Sequence, residues 1–152
     1  MSAAQPMNFA EHAAARRLTK LFDQHSRLAS LCDELEMIAD DLPRACPARC
    51  RRAAAELDTL VPEHHAFERD PLSDLLKARQ PDLLERILQQ HNEDEGLAGE
   101  IAEALEALVD GAKEPDPETV GYMLRCFFNS FRRSMLVEEL AIRSITEGDA
   151  DA

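Results

Sequence analysis

The chain has 152 residues, with 30 acidic against 17 basic side chains and a net charge of −13 at pH 7. That length is enough for one domain with a real core, and the charge argues against nucleic acid, which needs a basic footprint, and against an anionic membrane surface. Ala, Leu, Glu and Arg are abundant, Tyr occurs once and Trp not at all; with few β-branched residues and no alternating segment, the expected fold class is all-α.

The N-terminal segment has no charged region followed by an apolar run, and no apolar stretch approaches the roughly 20 residues that span a bilayer. The expectation is a cytoplasmic protein with reduced thiols. Asn8 can cap a first helix that Pro43 stops at Leu42. Its apolar stripe is Leu18, Leu21, Phe22, Leu28, Leu31, Cys32, Leu35 and Ile38, and the spacing puts His25 in that stripe. After a turn over 43–47, a second helix opens at Pro47 and carries Leu57, Leu60 and Val61. Pro62 should kink it while the register continues through His64, Phe67 and Glu68. Pro71 should end it or open a short extra turn with Leu72, Leu75 and Leu76.

Pro81 and Asp82 open a third helix, with Leu84, Ile87, Leu88, His91, Glu95, Ala98, Ile101, Leu105 and Leu108 on one side. Gly96 and Gly99 weaken it by roughly 1 kcal/mol each and suit close packing. A loop over 111–117 leads to a fourth helix with Val120, Met123, Leu124, Phe127, Phe128, Phe131, Glu138, Leu140, Ile142 and Ile145. Cys126 is expected in the core with Cys32. Arg44, Arg49, Arg51 and Arg52 form a local basic cluster that is a solvated face or a docking patch. One domain spans 1–152, with its core over about 8–146 and a frayed tail at 147–152. Four helices with short connections make an up-down-up-down bundle the default.

Each helix therefore places polar side chains on its apolar face: His25; His64 with Glu68; His91 with Glu95; Ser134 with Glu138. A residue and its i+4 neighbour lie about 40° apart around a helix, so each pair can aim at one point. His65 is the alternative to His64 if the helix rotates at Pro62, because Glu68 is also three residues on. An unpaired buried imidazole or carboxylate costs several kcal/mol, which makes a set on every helix a candidate metal site. Carboxylates that can link two ions, with imidazoles at terminal positions, suit iron, manganese or zinc better than calcium or magnesium.

Four blocks carry a family resemblance. They are His25-Ser-Arg-Leu-Ala-Ser-Leu-Cys32 with Glu34, Ile38, Asp40 and Pro43 after it; Pro62-Glu-His64-His65-Ala-Phe-Glu68; His91-Asn-Glu-Asp-Glu95-Gly-Leu-Ala; and Gly121 to Phe128 followed by Arg132-Arg133-Ser134 and Glu138-Glu139. In this order the chain, from about His12 to Ile145, resembles the hemerythrin-like HHE cation-binding domains, which are four-helix bundles with a non-haem di-iron site. The resemblance implies the ligands His25, His64, Glu68, His91, Glu95 and Glu138. It also implies iron as the cofactor, one or two non-haem ions. The chain departs from the family at Ser134, where the H-x-x-x-E motif has His, and after Glu68, where Arg69, Asp70 and Pro71 replace a second Glu and an L-F-P turn.

Two functional readings follow. In the first, the site is a partly degraded di-iron centre that binds dioxygen or nitric oxide, senses redox state or iron, or serves a stress response, with at most weak peroxide chemistry and no turnover. In the second, the bundle is metal-free and acts as a regulatory module for a protein partner. Neither reading involves nucleic acid or a membrane.

Overall fold

The computed structural model describes residues 8–150, apart from the side chains at 10, 11, 14 and 148–150. These residues fold as four helices: α1 (Phe9–Asp41), α2 (Pro47–Leu76), α3 (Pro81–Val109) and α4 (Pro117–Ala150). Together they form an all-α, up-down-up-down bundle. α1 and α3 occupy opposite corners, and each packs on both α2 and α4.

The ends of the helices follow from local chemistry. Pro47, Pro81 and Pro117 each occupy the first helical position, where the missing N–H is no loss and the fixed φ is already helical. Asp116 caps α4 by accepting the Thr119 N–H at 2.8 Å, which holds its carboxyl below the usual range. α3 ends in a Schellman turn: Gly111, at φ +83, donates to Leu108 O at 3.2 Å, and Ala112 donates to Ala107 O at 2.9 Å. Only glycine adopts that φ without strain.

Three expectations change. Pro71 does not end α2, which continues to Leu76 with Leu72 and Leu76 fully buried. Burying two leucines stabilises the helix by about 1.5–3 kcal/mol each, which offsets the roughly 3 kcal/mol cost of an internal proline. Cys126 is exposed, because Phe127 and Phe128 take the inward directions beside it. Gly96 and Gly99 are not close-packing devices, since a Cβ at either would meet nothing within 4 Å. α4 runs into the segment expected to fray, and residues 151–152 lie outside the described residues.

The basic cluster is partly tied to its own fold. Arg49 donates to Glu34 at 2.7 Å, joining α2 to α1. Arg51 donates to Asp110 at 2.9 Å, joining α2 to the end of α3. No helix among the described residues is long and apolar enough to cross a membrane.

The interior is divided. One apolar compartment holds residues such as Leu28, Leu35, Leu57, Ile101, Leu124 and Phe127. A second holds Leu21, Leu72, Leu76, Ile87, Ile142 and Ile145. Along every helix the site residues fall between these two compartments: His25 between Leu21 and Leu28, Glu68 between Val61 and Leu72, His91 between Ile87 and Ala98, Glu138 between Met135 and Ile142.

Candidate metal centre

The layer between the compartments consists of His25, His64, His65, Glu68, His91 and Glu138, each no more than 3% exposed. All four helices contribute. Glu68 and Glu138 lie at its centre, and each presents one oxygen to either side. On one side, Glu68 Oε2 lies 3.0 Å from His64 Nε2 and 3.5 Å from His25 Nε2, and Glu138 Oε2 lies 3.3 Å from His25 Nε2. On the other, His91 Nε2 lies 2.8 Å from Glu68 Oε1 and donates to Glu138 Oε1 at 2.6 Å. The His65 ring stacks on His91, with centroids 4.0 Å apart and planes 7° from parallel.

Three of the imidazoles are gripped from outside the layer. His25 Nδ1 donates to Glu139 Oε1 at 3.0 Å, His64 Nδ1 to Gln24 Oε1 at 2.7 Å and His65 Nδ1 to Glu95 Oε1 at 3.0 Å. These oxygens can only accept, so Nδ1 carries the proton and a neutral ring keeps its lone pair on Nε2. Metal-ligating histidines are held in the same way.

Inside the layer, apart from the bond between His91 and Glu138, proximity does not produce satisfied hydrogen bonds. His25 Nε2, His64 Nε2, both oxygens of Glu68 and Glu138 Oε2 are buried without a hydrogen-bond partner, although ion-pair distances connect them. An unsatisfied buried polar atom costs about 1–3 kcal/mol, so a group of them is expensive unless a cation draws their lone pairs together. In the protein alone, protons take part of that role. Burial opposes charge on His25, but Glu138 and Glu68 outweigh it and raise its pKa to about 10. Burial likewise opposes charge on His91, and the same carboxylates raise it to about 9. Burial favours the neutral form of Glu68, yet His25, His64 and His91 hold it far below the ordinary carboxylate range. His65 behaves oppositely: burial and the neighbouring His91 push it down to about 3.

Among the described residues, two groups have ligand atoms within 4.8 Å of one another: His25, His64, Glu68 and Glu138; and His65, Glu68 and His91. Both contain only imidazole and carboxylate donors, and they can coordinate one or two metal ions. The donor set fits iron, manganese or zinc.

Residues 16–142 match the family model described as hemerythrin HHE cation binding domain. The chain belongs to this hemerythrin family. No curated protein and no solved structure matches it. A hemerythrin-like bundle with clustered histidines and glutamates able to chelate metal accounts for the polar layer that the two apolar compartments enclose.

Of the residues singled out from sequence in this hemerythrin-like chain, His25, His64, Glu68, His91 and Glu138 meet in the layer. Glu95 does not. Its side chain is 33% exposed and sits behind His65, where it accepts the Nδ1 proton. In the run Glu93-Asp94-Glu95 the buried residue is Asp94, 2% exposed. Asp94 Oδ1 accepts from Gln90 at 3.0 Å, while its Oδ2 has no partner, and burial raises its pKa to about 6. His65, expected only as an alternative to His64, also belongs to the layer, and both side chains are buried. Ser134 is half-buried and lines a cleft of about 270 Å³ between α3 and α4 with Arg86, Gln90 and Arg133, and the cleft reaches Glu138.

Proposed function

We propose that this protein binds non-haem iron in the layer between its apolar compartments and exposes it to a small gas such as dioxygen or nitric oxide. In this reading it senses gas, redox state or iron and is not a turnover enzyme. The observation that carries the reading is the set of buried, unpartnered Nε2 and carboxylate oxygen atoms converging from α1, α2 and α4, with His91 of α3 beside them. A purely structural core would not retain them, since apolar replacements of the same volume are often more stable.

Bound iron would supply an open coordination position and a change of oxidation state. The protein's own groups do the rest. Glu68 and Glu138 offer an oxygen to each side, the imidazoles offer Nε2, and Glu139, Gln24 and Glu95 fix ring orientation from outside. The apolar compartments above and below keep water out. The cleft at Ser134 supports access for a small ligand, because serine leaves open the α3–α4 surface next to Glu138. Arg86 and Arg133 line it as cations in a chain of charge −13.

The test is the iron content and visible spectrum of protein purified from iron-supplemented cells, followed by chelation. Near-stoichiometric iron, oxo-bridge absorption and a melting temperature that drops on chelation are expected, because metal binding is linked to folding. Substoichiometric metal, removed with no change in melting temperature, would contradict the reading.

A metal-free interaction module is the second reading, favoured by Leu136, Val137 and Leu140, which are 56%, 42% and 56% exposed on α4. It predicts that His64→Leu stabilises the protein and leaves partner binding intact.

A further inference from the structure

We propose that His65 is a metal ligand, and that it supplies from α2 the nitrogen that Ser134 cannot supply from α4. The centre is then a rearranged two-metal site rather than a depleted one. This inference rests on the reading that the layer binds metal.

The two carboxylates divide the layer into halves with equal oxygen donors. Glu68 Oε2 and Glu138 Oε2 face His25 and His64; Glu68 Oε1 and Glu138 Oε1 face His91. With the ligands expected from sequence alone, the first half has two imidazoles and the second has one. His65 removes that imbalance. Its ring lies parallel to His91 at 4.0 Å, and its ligand atom falls within 4.8 Å of those of Glu68 and His91. Each half then offers two imidazoles and a Glu68 oxygen; Glu138 belongs to the first group and reaches the second through Oε1, 2.6 Å from His91.

The orientation of His65 argues separately for this role. A histidine kept only for packing has no need of a fixed tautomer. His65 is held through Nδ1 by Glu95 of α3, as His25 is by Glu139 of α4 and His64 is by Gln24 of α1. In each case an acceptor on a different helix leaves Nε2 as the nitrogen that can ligate. Glu95 is therefore a positioning residue for His65. Ser134, on the cleft side of α4, is free to line the cleft beside Glu138.

The experiment is an anaerobic titration of the stripped full chain with iron(II), and in parallel with zinc(II), read by calorimetry and elemental analysis. Wild type should bind two ions per chain. His65→Phe keeps an aromatic ring against His91 and removes the nitrogens. It should weaken the second ion by more than the roughly 10- to 100-fold that loss of an orienting partner costs, leaving the first ion unchanged. Glu95→Ala should weaken the second ion within that 10- to 100-fold range; Glu95→Gln, whose amide oxygen still accepts, should restore it. His65→Phe with the affinities and stoichiometry of wild type overturns the assignment of His65. A wild type that binds no ion overturns the reading beneath it instead. A second measurement needs no variant. In ¹⁵N-labelled wild type, zinc should move the His65 Nε2 resonance to a coordinated position while Nδ1 stays protonated, and a His65 Nε2 resonance unmoved by saturating zinc also overturns the assignment.

Discussion

The two halves of the buried layer share their carboxylates and differ in where their nitrogens come from. Around His25 and His64, one imidazole comes from α1 and one from α2; His25 lies against the Oε2 atoms of both Glu68 and Glu138, and His64 against that of Glu68. Around His91, the first imidazole comes from α3, and the ring stacked on it is a second one from α2. A metal centre constrains where donor atoms lie, not which helix supplies them. α2 packs on both α1 and α3, so two consecutive residues about 100° apart can both point inward and serve opposite halves.

Removing a shared carboxylate should break both halves at once. Glu68→Ala is expected to bind no ion. Its metal-free form should lose about 3–5 kcal/mol, because His25 and His91 lose a buried charge partner. Elemental analysis and chemical denaturation read the two effects, and one ion retained at wild-type affinity would mean that the halves do not share Glu68.

The next largest effect is on pH dependence. His25 and His91 have pKa values raised from 6.5 to about 10 and about 9 in the protein alone. Their contribution to metal-free stability is therefore full below about pH 6.5 and is lost as pH rises through 9 to 10. Iron needs the neutral rings, so loading releases protons and affinity rises with pH over the same window. Denaturation of chelated and loaded protein at pH 6.5, 8 and 10 should show the stability gap widening. A constant gap would remove proton displacement from the account.

His64→Leu should separate the halves, weakening the ion beside His25 and sparing the one beside His91. Equal loss of both ions would mean that the halves are not independent. Ser134→Ala should have the smallest effect: unchanged stoichiometry and a stability change within about 0.5 kcal/mol, as for a substitution away from the key contacts. Loss of an ion in Ser134→Ala would make the hydroxyl a ligand and weaken the case for His65.

The helices were legible because their stripes are long and because α2, α3 and α4 start on proline. The layer was legible where a polar residue stood between leucines at a spacing of three or four, as at His25 between Leu21 and Leu28. It was ambiguous where two polar residues were adjacent. Position 94 continues the alternating steps from Ile87 through His91 to Ala98, Ile101 and Leu105, and it is Asp94 that is buried. The i+4 ligand pattern instead drew attention to Glu95. Pairing on one helix says nothing about a neighbouring helix, and the role of Glu95 is set by His65 of α2. Likewise, the rotation of α2 at His64 and His65 is fixed by contacts with α1 and α3, which no local pattern encodes. Pro71 was misleading for a similar reason, since its local cost is offset by Leu72 and Leu76 in a compartment built from all four helices.

On the proposal above, this layer is a two-metal centre. Counting iron(II) bound per chain in an anaerobic titration of the stripped wild-type protein tests it most directly. Two ions, each removed by chelation with a fall in melting temperature, is the predicted result. An absence of saturable binding, with a melting temperature indifferent to iron, would contradict it.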